Sequence, residues 1–326
     1  MNSPKHLHVA LASDNNYAEF VAIVLTSLFA TNIEFENISI HLLSNNIQPQ
    51  AINRLDEIIK TNNGNFFVYD ISDIKVRLNI KVPNTIAISA YSRLFLAEII
   101  SMDIDKIVYL DCDIIINNDL SEIWSVALEN YHIGAVLDTL PDNKSKIAIG
   151  LSHEDEYINS GMLLINLKKW REDKIQKKFI NFLLNHNGKV HHHDQGIINA
   201  VCENKLILHP KYNLTSSYLS HPYWLLNKTN TPFYTEAEVI EAKENPVIVH
   251  FTEGFYNRPW IANSKHPLAY IFEKYWEIAN WGEIIYRTDK RSNAVKILSW
   301  SFLNLPHWAY NMISNTISLI HKIIKG

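Results

Sequence analysis

The chain has 326 residues, 47% hydrophobic and 20% charged, which allows one large α/β domain with a substantial core and excludes wholesale disorder. Nine glycines exclude a collagen-like chain, and a formal charge of −4 lacks the basic surplus of a general nucleic-acid binder, so no nucleic-acid partner is expected. Two cysteines, Cys112 and Cys202, cannot build a disulfide framework and suit a reducing, cytoplasmic setting. Residues 1–12 lack the pattern of a signal peptide, and no uninterrupted apolar run is long enough to span a bilayer. Asn143, Asn213 and Asn227 each begin an N-x-S/T sequon and are expected to be unglycosylated surface asparagines.

In chain order, residues 8–12 read as a short strand ending in a polar turn, and 17–31 follow with the helical spacing of Phe20, Val24 and Leu28. Residues 38–43 are a second predicted strand, 48–60 a helix with Ile52, Leu55 and Ile59 on one face, 66–69 a third strand, and 91–100 a helix. Residues 106–110 are nearly continuously apolar, as a strand covered on both faces requires. Such alternation predicts an α/β fold with a largely parallel sheet and helices on both faces. Beyond it, strands are predicted at 133–137, 162–167 and 247–251, and helices at 168–184, 195–203 and 267–281. No repeat or low-complexity linker divides this part, so one domain over 1–281 and a distinct tail over 282–326 are expected.

The sharpest chemical feature is Tyr109-Leu110-Asp111-Cys112-Asp113, where an apolar strand delivers two carboxylates at its C-terminal end. Open parallel sheets bind ligands at that edge. Two hard oxygen donors there suit a divalent cation and a phosphate-bearing ligand, and in strict strand geometry the two side chains share a face. D-x-D alone is equally a pair of solvated turn aspartates. It also opens the haloacid-dehalogenase phosphatases, but there it normally ends the first strand; here three strand signals precede it and no Asp-Asp pair follows.

Other tracts accompany it: Ala12-Ser13-Asp14-Asn15-Asn16-Tyr17, Ala90-Tyr91-Ser92-Arg93-Leu94, Asn159-Ser160-Gly161, Asp194-Gln195-Gly196, His250-Phe251 with Gly254, Arg258-Pro259-Trp260, and His266-Pro267. In this order and spacing, over about residues 7–281, the chain resembles family eight of the glycosyltransferases, which includes bacterial lipopolysaccharide α-galactosyltransferases and α-glucosyltransferases. The resemblance implies a GT-A fold, a UDP-galactose or UDP-glucose donor, Mn2+ (with Mg2+ as the alternative), and retention of anomeric configuration. Carried over residue by residue, the metal ligands fall on Asp111, Asp113 and His250, and the donor contacts on Ala12, Asp14, Asn16, Tyr17, Arg93, Asp111, Asp138, Asn159, Gly254 and Arg258. Asp194 and Gln195 fall beside the reacting carbon, with Asp194 the carboxylate to test as nucleophile and same-face attack by the acceptor the favoured route. Arg258 stands where the family often has lysine, and the preceding loop 252–257 is longer than usual. The run His191-His192-His193 is not expected to share one metal, because consecutive side chains diverge.

The tail carries five basic and no acidic residues from Lys290 to Gly326, leaving −9 on the rest of the chain. Pro306 divides its apolar and aromatic residues into two predicted helices. Trp, Tyr and Lys beside aliphatic residues suit an amphipathic segment at an anionic membrane surface. The sequence-level expectation is thus a peripheral hexosyltransferase on the inner face of a bacterial cytoplasmic membrane, acting on a lipid-linked glycan. The competing class is a non-catalytic nucleotide-sugar binder.

Overall fold

The computed structural model describes residues 6–73, 91–139, 143–229 and 232–325. Among these residues ten strands form two sheets: β1 (His6–Asp14), β2 (Asn37–Asn45), β3 (Asn65–Asp70), β4 (Lys106–Leu110), β5 (Ile114–Ile116), β6 (Ile133–Leu137), β7 (Ile158–Asn166), β8 (Lys205–Ile207), β9 (Leu214–Thr215) and β10 (Ile248–His250). The main sheet runs β3-β2-β1-β4-β7-β6-β8 and is parallel except for β7, which is antiparallel to both neighbours. A second sheet, β5-β10-β9, stands apart. The predicted strand at 247–251 is therefore β10 of this small sheet.

Burial explains which strands the pattern revealed. Every residue of β6 is buried, and β4 is buried but for its first residue, so neither alternates; β3, at the edge, is largely exposed. The helix Ala18–Thr31 is buried along most of its surface, which makes it apolar all round rather than amphipathic. Its Phe20 ring packs 4.4 Å from that of Trp260, which also meets Phe272 at 5.3 Å. Truncating such an aromatic to alanine costs about 3–5 kcal/mol, and this cluster anchors the chain just after Arg258.

Two helix predictions change. Residues 168–184 form two helices, Leu167–Glu172 and Ile175–Asn185, because Lys174 takes a left-handed φ of 53° between them. Residues 91–100 contain a 3₁₀ turn, Arg93–Phe95, and a single α-turn, Leu96–Ile99. Arg171 caps this segment by donating to the carbonyls of Ala97, Ile100, Ser101 and Ile104. In the tail, helices Asn293–Asn304 and His307–Lys325 meet at Leu305-Pro306.

Candidate active site

The chain runs outward from β1 through β2 to β3, then returns to the other side of β1 as β4. A crevice therefore opens beyond the carboxyl ends of β1 and β4, where such sheets bind ligands. Asp111, Cys112 and Asp113 lie there, in the turn between β4 and β5, so the two carboxylates leave a turn and not one face of a strand. Three bonds pin the turn. Asp111 N–H donates to Gly161 O at 2.8 Å, the Cys112 thiol donates to Ala12 O at 3.3 Å, and Phe251 N–H donates to Asp113 O at 2.8 Å.

The last bond continues the pairing of β10 with β5, in which His250 stands opposite Ile114. A histidine 137 positions away is thereby brought beside the turn. Ligand atoms of Asp111, Asp113 and His250 lie within 4.8 Å of one another, the one such triad among the described residues. His250 Nε2 faces Asp113 Oδ1 at 3.1 Å, and Nδ1 faces Asn213 Oδ1 at 2.9 Å. Gly161 makes the room: a Cβ there would stand 2.2 Å from His250 Cε1 and 3.0 Å from Asp111 Oδ2. Two carboxylates and one imidazole over a side-chain-free backbone fit a borderline divalent cation better than calcium, which prefers all-oxygen sites.

Charge is concentrated here. Burial pushes the Asp111 carboxyl up, against the opposing pull of Arg93. Burial would also raise Asp113, but His250 and Arg258 outweigh it and hold that carboxyl well below the usual range. Arg93 is itself buried, 4% exposed, and donates to Asp111 Oδ1 at 2.6 Å and to Ser160 O at 2.6 Å and Oγ at 3.3 Å, and it pairs with Asp194 Oδ2 at 3.1 Å. Its guanidinium lies 4.3 Å over the Tyr109 ring. Burial works against its charge, and Asp111 with Asp194 more than restores it, raising its pKa. Arg258 donates to Asp113 Oδ2 at 3.0 Å and to Phe251 O at 3.1 Å.

The opposite wall comes from β6, β7 and the helix His193–Val201. Gln195 Nε2 donates to Asp138 Oδ2 at 2.8 Å, Ser160 N–H donates to Gln195 Oε1 at 3.1 Å, and Asn159 Nδ2 reaches Asp138 at 3.3 Å. Between the walls is a cleft of about 520 Å³ whose lining includes Arg93, Asp111, Asp138, Asn159, Asp194 and Gln195. One connected hydrogen-bond network thus joins Arg93, Asp111, Asp113, Asp138, Asn159, Asp194, Gln195, His250 and Arg258. Ala12 meets it through its bond with Cys112. Asp14, Asn16, Tyr17 and Gly254 stand outside that network. Asp14 accepts from Asn16 N–H at 2.9 Å and caps the turn Asn15–Tyr17, while the Tyr17 ring packs at a tilt 5.2 Å from that of Phe20. A Cβ at Gly254 would find no atom nearer than Ser217 Oγ at 3.8 Å, so packing does not require glycine there.

Several neighbours escaped the sequence reading. Asn213 is fully buried beside His250, correcting its expectation as a surface asparagine; Asn143 and Asn227 are exposed as expected. The tail also reaches the site. Arg287 donates to Asn16 O at 2.8 Å beside the Tyr17 ring, and Arg291 donates to Gly254 O at 2.9 Å. Phe255 stacks on Phe302 with centroids 4.3 Å apart. Residue type gave no signal for these contacts, which depend on where the loops fold back. His191, His192 and His193 are exposed and form no metal-holding group; His192 lines the cleft and its Nδ1 lies 2.7 Å from Tyr157 Oη.

Known proteins share this arrangement of chain. The sequence is 27% identical over 293 residues to general stress protein A of Bacillus subtilis, covering 87% of this chain and 98% of that protein. It is 23% identical over 283 residues to a lipopolysaccharide 1,2-glucosyltransferase of Escherichia coli, covering 86% and 79%. The crystal structure of galactosyltransferase LgtC in complex with donor and acceptor sugar analogues superimposes with a TM-score of 0.70 at 23% identity, over 85% of this chain and 98% of that one. This likeness establishes the shared GT-A-like architecture. Residues 8–264, most of the chain and all of the crevice, match the sequence family described as glycosyl transferase family 8, and the chain belongs to that family.

Proposed function

We propose that this glycosyltransferase is a retaining hexosyltransferase. It moves galactose or glucose from a UDP-sugar to a glycan acceptor, lipopolysaccharide or another lipid-linked saccharide. The observation that carries the reading is the convergence of Asp111, Asp113 and His250 in the switch-point crevice. The names of the glucosyltransferase and galactosyltransferase relatives support the hexose and the glycan acceptor. A phosphatase nucleophile finds no support in an Asp111 ion-paired to a buried arginine.

Asp111, Asp113 and His250 would hold the cation, Mn2+ by their mixed donor set and Mg2+ as the alternative. A bound cation supplies positive charge for the departing diphosphate. Arg258, anchored through Phe251 O and two residues from the buried Trp260, presents a guanidinium fork for the same phosphates. Arg93 spaces Asp111 from Asp194 and keeps both carboxylates compensated. Asp138, Asn159 and Gln195 already exchange hydrogen bonds, so they form a preorganised set for sugar hydroxyls. Tyr17, Asn16 and Asp14 offer a stacking face, a donor and an acceptor for uracil and ribose. Asp194 is bonded to Arg93 and Ser160, which favours an orienting role and same-face attack over nucleophilic attack by Asp194.

The segment 282–326 is proposed to rest on an anionic membrane surface at the cytoplasmic face. Support comes from residues 290–326, with five basic and no acidic side chains, and from Trp300 and Trp308, 59% and 68% exposed. Among the described residues no helix is long and apolar enough to cross a membrane. UDP release from UDP-galactose and UDP-glucose tests the activity. Release that needs Mn2+ and stops with EDTA agrees with the proposal; release of neither nucleotide product under any divalent cation overturns it. Absence of binding to anionic vesicles overturns the membrane assignment.

A further inference from the structure

Asn213 begins an N-x-S/T sequon, yet it is 0% exposed and sits between the turn Pro210–Tyr212 and β9. Its hydrogen bonds determine its orientation. Gly161 N–H donates to Asn159 Oδ1 at 3.0 Å, and since a backbone N–H only donates, that atom is an oxygen. Asn213 faces the same oxygen at 2.8 Å and must present its Nδ2. Its Oδ1 then faces His250 Nδ1 at 2.9 Å, and an acceptor in that place favours a proton on Nδ1. Nε2 is left facing the Asp113 carboxylate, 3.1 Å away, the side on which a cation would lie.

We propose that Asn213 is a positioning residue: it holds His250 in the Nδ1–H tautomer and so makes Nε2 the atom that binds the divalent cation. The competing state puts the proton on Nε2, where it bonds to Asp113 and blocks the ligand position. With a cation between Nε2 and Asp113, the ring's one proton belongs on Nδ1, where Asn213 Oδ1 accepts it at 2.9 Å; a lone pair there would face a buried acceptor. Partners of this kind around metal-bound histidines set the tautomer and the ring orientation. The inference rests on the metal reading above, and its test separates the two.

The test uses Mn2+ alone, with binding measured on the free protein by loss of the aquo-ion resonance signal. Asn213→Leu, similar in volume but without an acceptor, should bind Mn2+ about 10–100-fold more weakly than the parent. Asn213→Asp keeps an acceptor for Nδ1–H and should restore affinity to within about threefold. Equal affinity for Asn213→Leu and the parent overturns the inference, as does equal loss in both variants. A parent that takes up no Mn2+ overturns the metal reading and this inference with it. Should Asn213→Leu fail to fold, the parent saturated with diamagnetic Cd2+ decides. Nitrogen-15 spectra should show a protonated Nδ1 and a metal-bound Nε2 at His250, and the reverse assignment overturns the proposal.

Discussion

Replacing Gly161 by alanine adds one methyl group behind the ligand triad. Its ideal position is 2.2 Å from His250 Cε1, 2.8 Å from Nδ1 and 3.0 Å from Asp111 Oδ2, whereas ordinary contact begins at 3.4 Å. One side must therefore retreat by about 1.2 Å, the difference between 3.4 and 2.2. Strand β7 is central and bonded to β4 and β6, so the imidazole and the carboxylate give way. Metal–ligand distances tolerate only about 0.2 Å. Mn2+ affinity should fall at least about 100-fold, or about 3 kcal/mol. Overpacking should also cost about 1–3 kcal/mol of folding stability. Titration calorimetry with Mn2+ and thermal melting read the two effects on one sample. A Gly161→Ala protein that binds Mn2+ and melts like the parent would refute the geometry from which this is reasoned.

Arg93→Ala should destabilise the protein by about 3–5 kcal/mol in urea unfolding, because it strands Asp111 and Asp194 near each other without their buried counter-charge. An unchanged midpoint counts against the buried bridge. His266 is held neutral by burial, its pKa lowered to about 4 from 6.5. The unfolded chain therefore takes up this proton first, so the stability it contributes is complete above pH 6.5 and is lost as pH falls towards 4, by about 3 kcal/mol in all. His8 and His41, also lowered to about 4 by burial and neighbouring histidines, act in the same direction. Urea midpoints measured from pH 7 to pH 4 should fall, less so in His266→Asn, and a flat profile contradicts this. Arg291→Ala frees the Gly254 carbonyl, Ser299 Oγ and Asp289 and should cost about 1.5–3 kcal/mol, read as a lower melting temperature.

Much of the first half of the fold was legible because β1, β2 and β4 are apolar runs and the helix after β2 carries clear spacing; the broken segment 91–100 was not. Of the small sheet only β10 was legible, through the apolar run 247–251; β5, with three residues, and β9, with two, are too short to show a period. Nor does any residue between Glu172 and Ile175 announce the left-handed Lys174 that splits a predicted helix. The direction of β7 is equally silent, because a strand buried on both faces reads alike in either direction. In the crevice, Asp111, Asp113, Arg93 and His250 were visible through motifs spaced along the chain. Asn213 looked like any sequon, and its importance lies in a bond to a residue 37 positions later. Arg291 was read only as tail charge and Arg287 drew no reading, because their targets, Gly254 and Asn16, come close only when the chain folds back.

The central claim is that Asp111, Asp113 and His250 grip one cation and, through it, a pyrophosphate. Anomalous diffraction at the manganese edge, on crystals grown with Mn2+ and UDP, tests this most directly. The account predicts a single peak bonded to one oxygen of each aspartate and to His250 Nε2, with phosphate oxygens completing its coordination. A peak elsewhere, or UDP bound in the crevice without a cation at these three side chains, would contradict it.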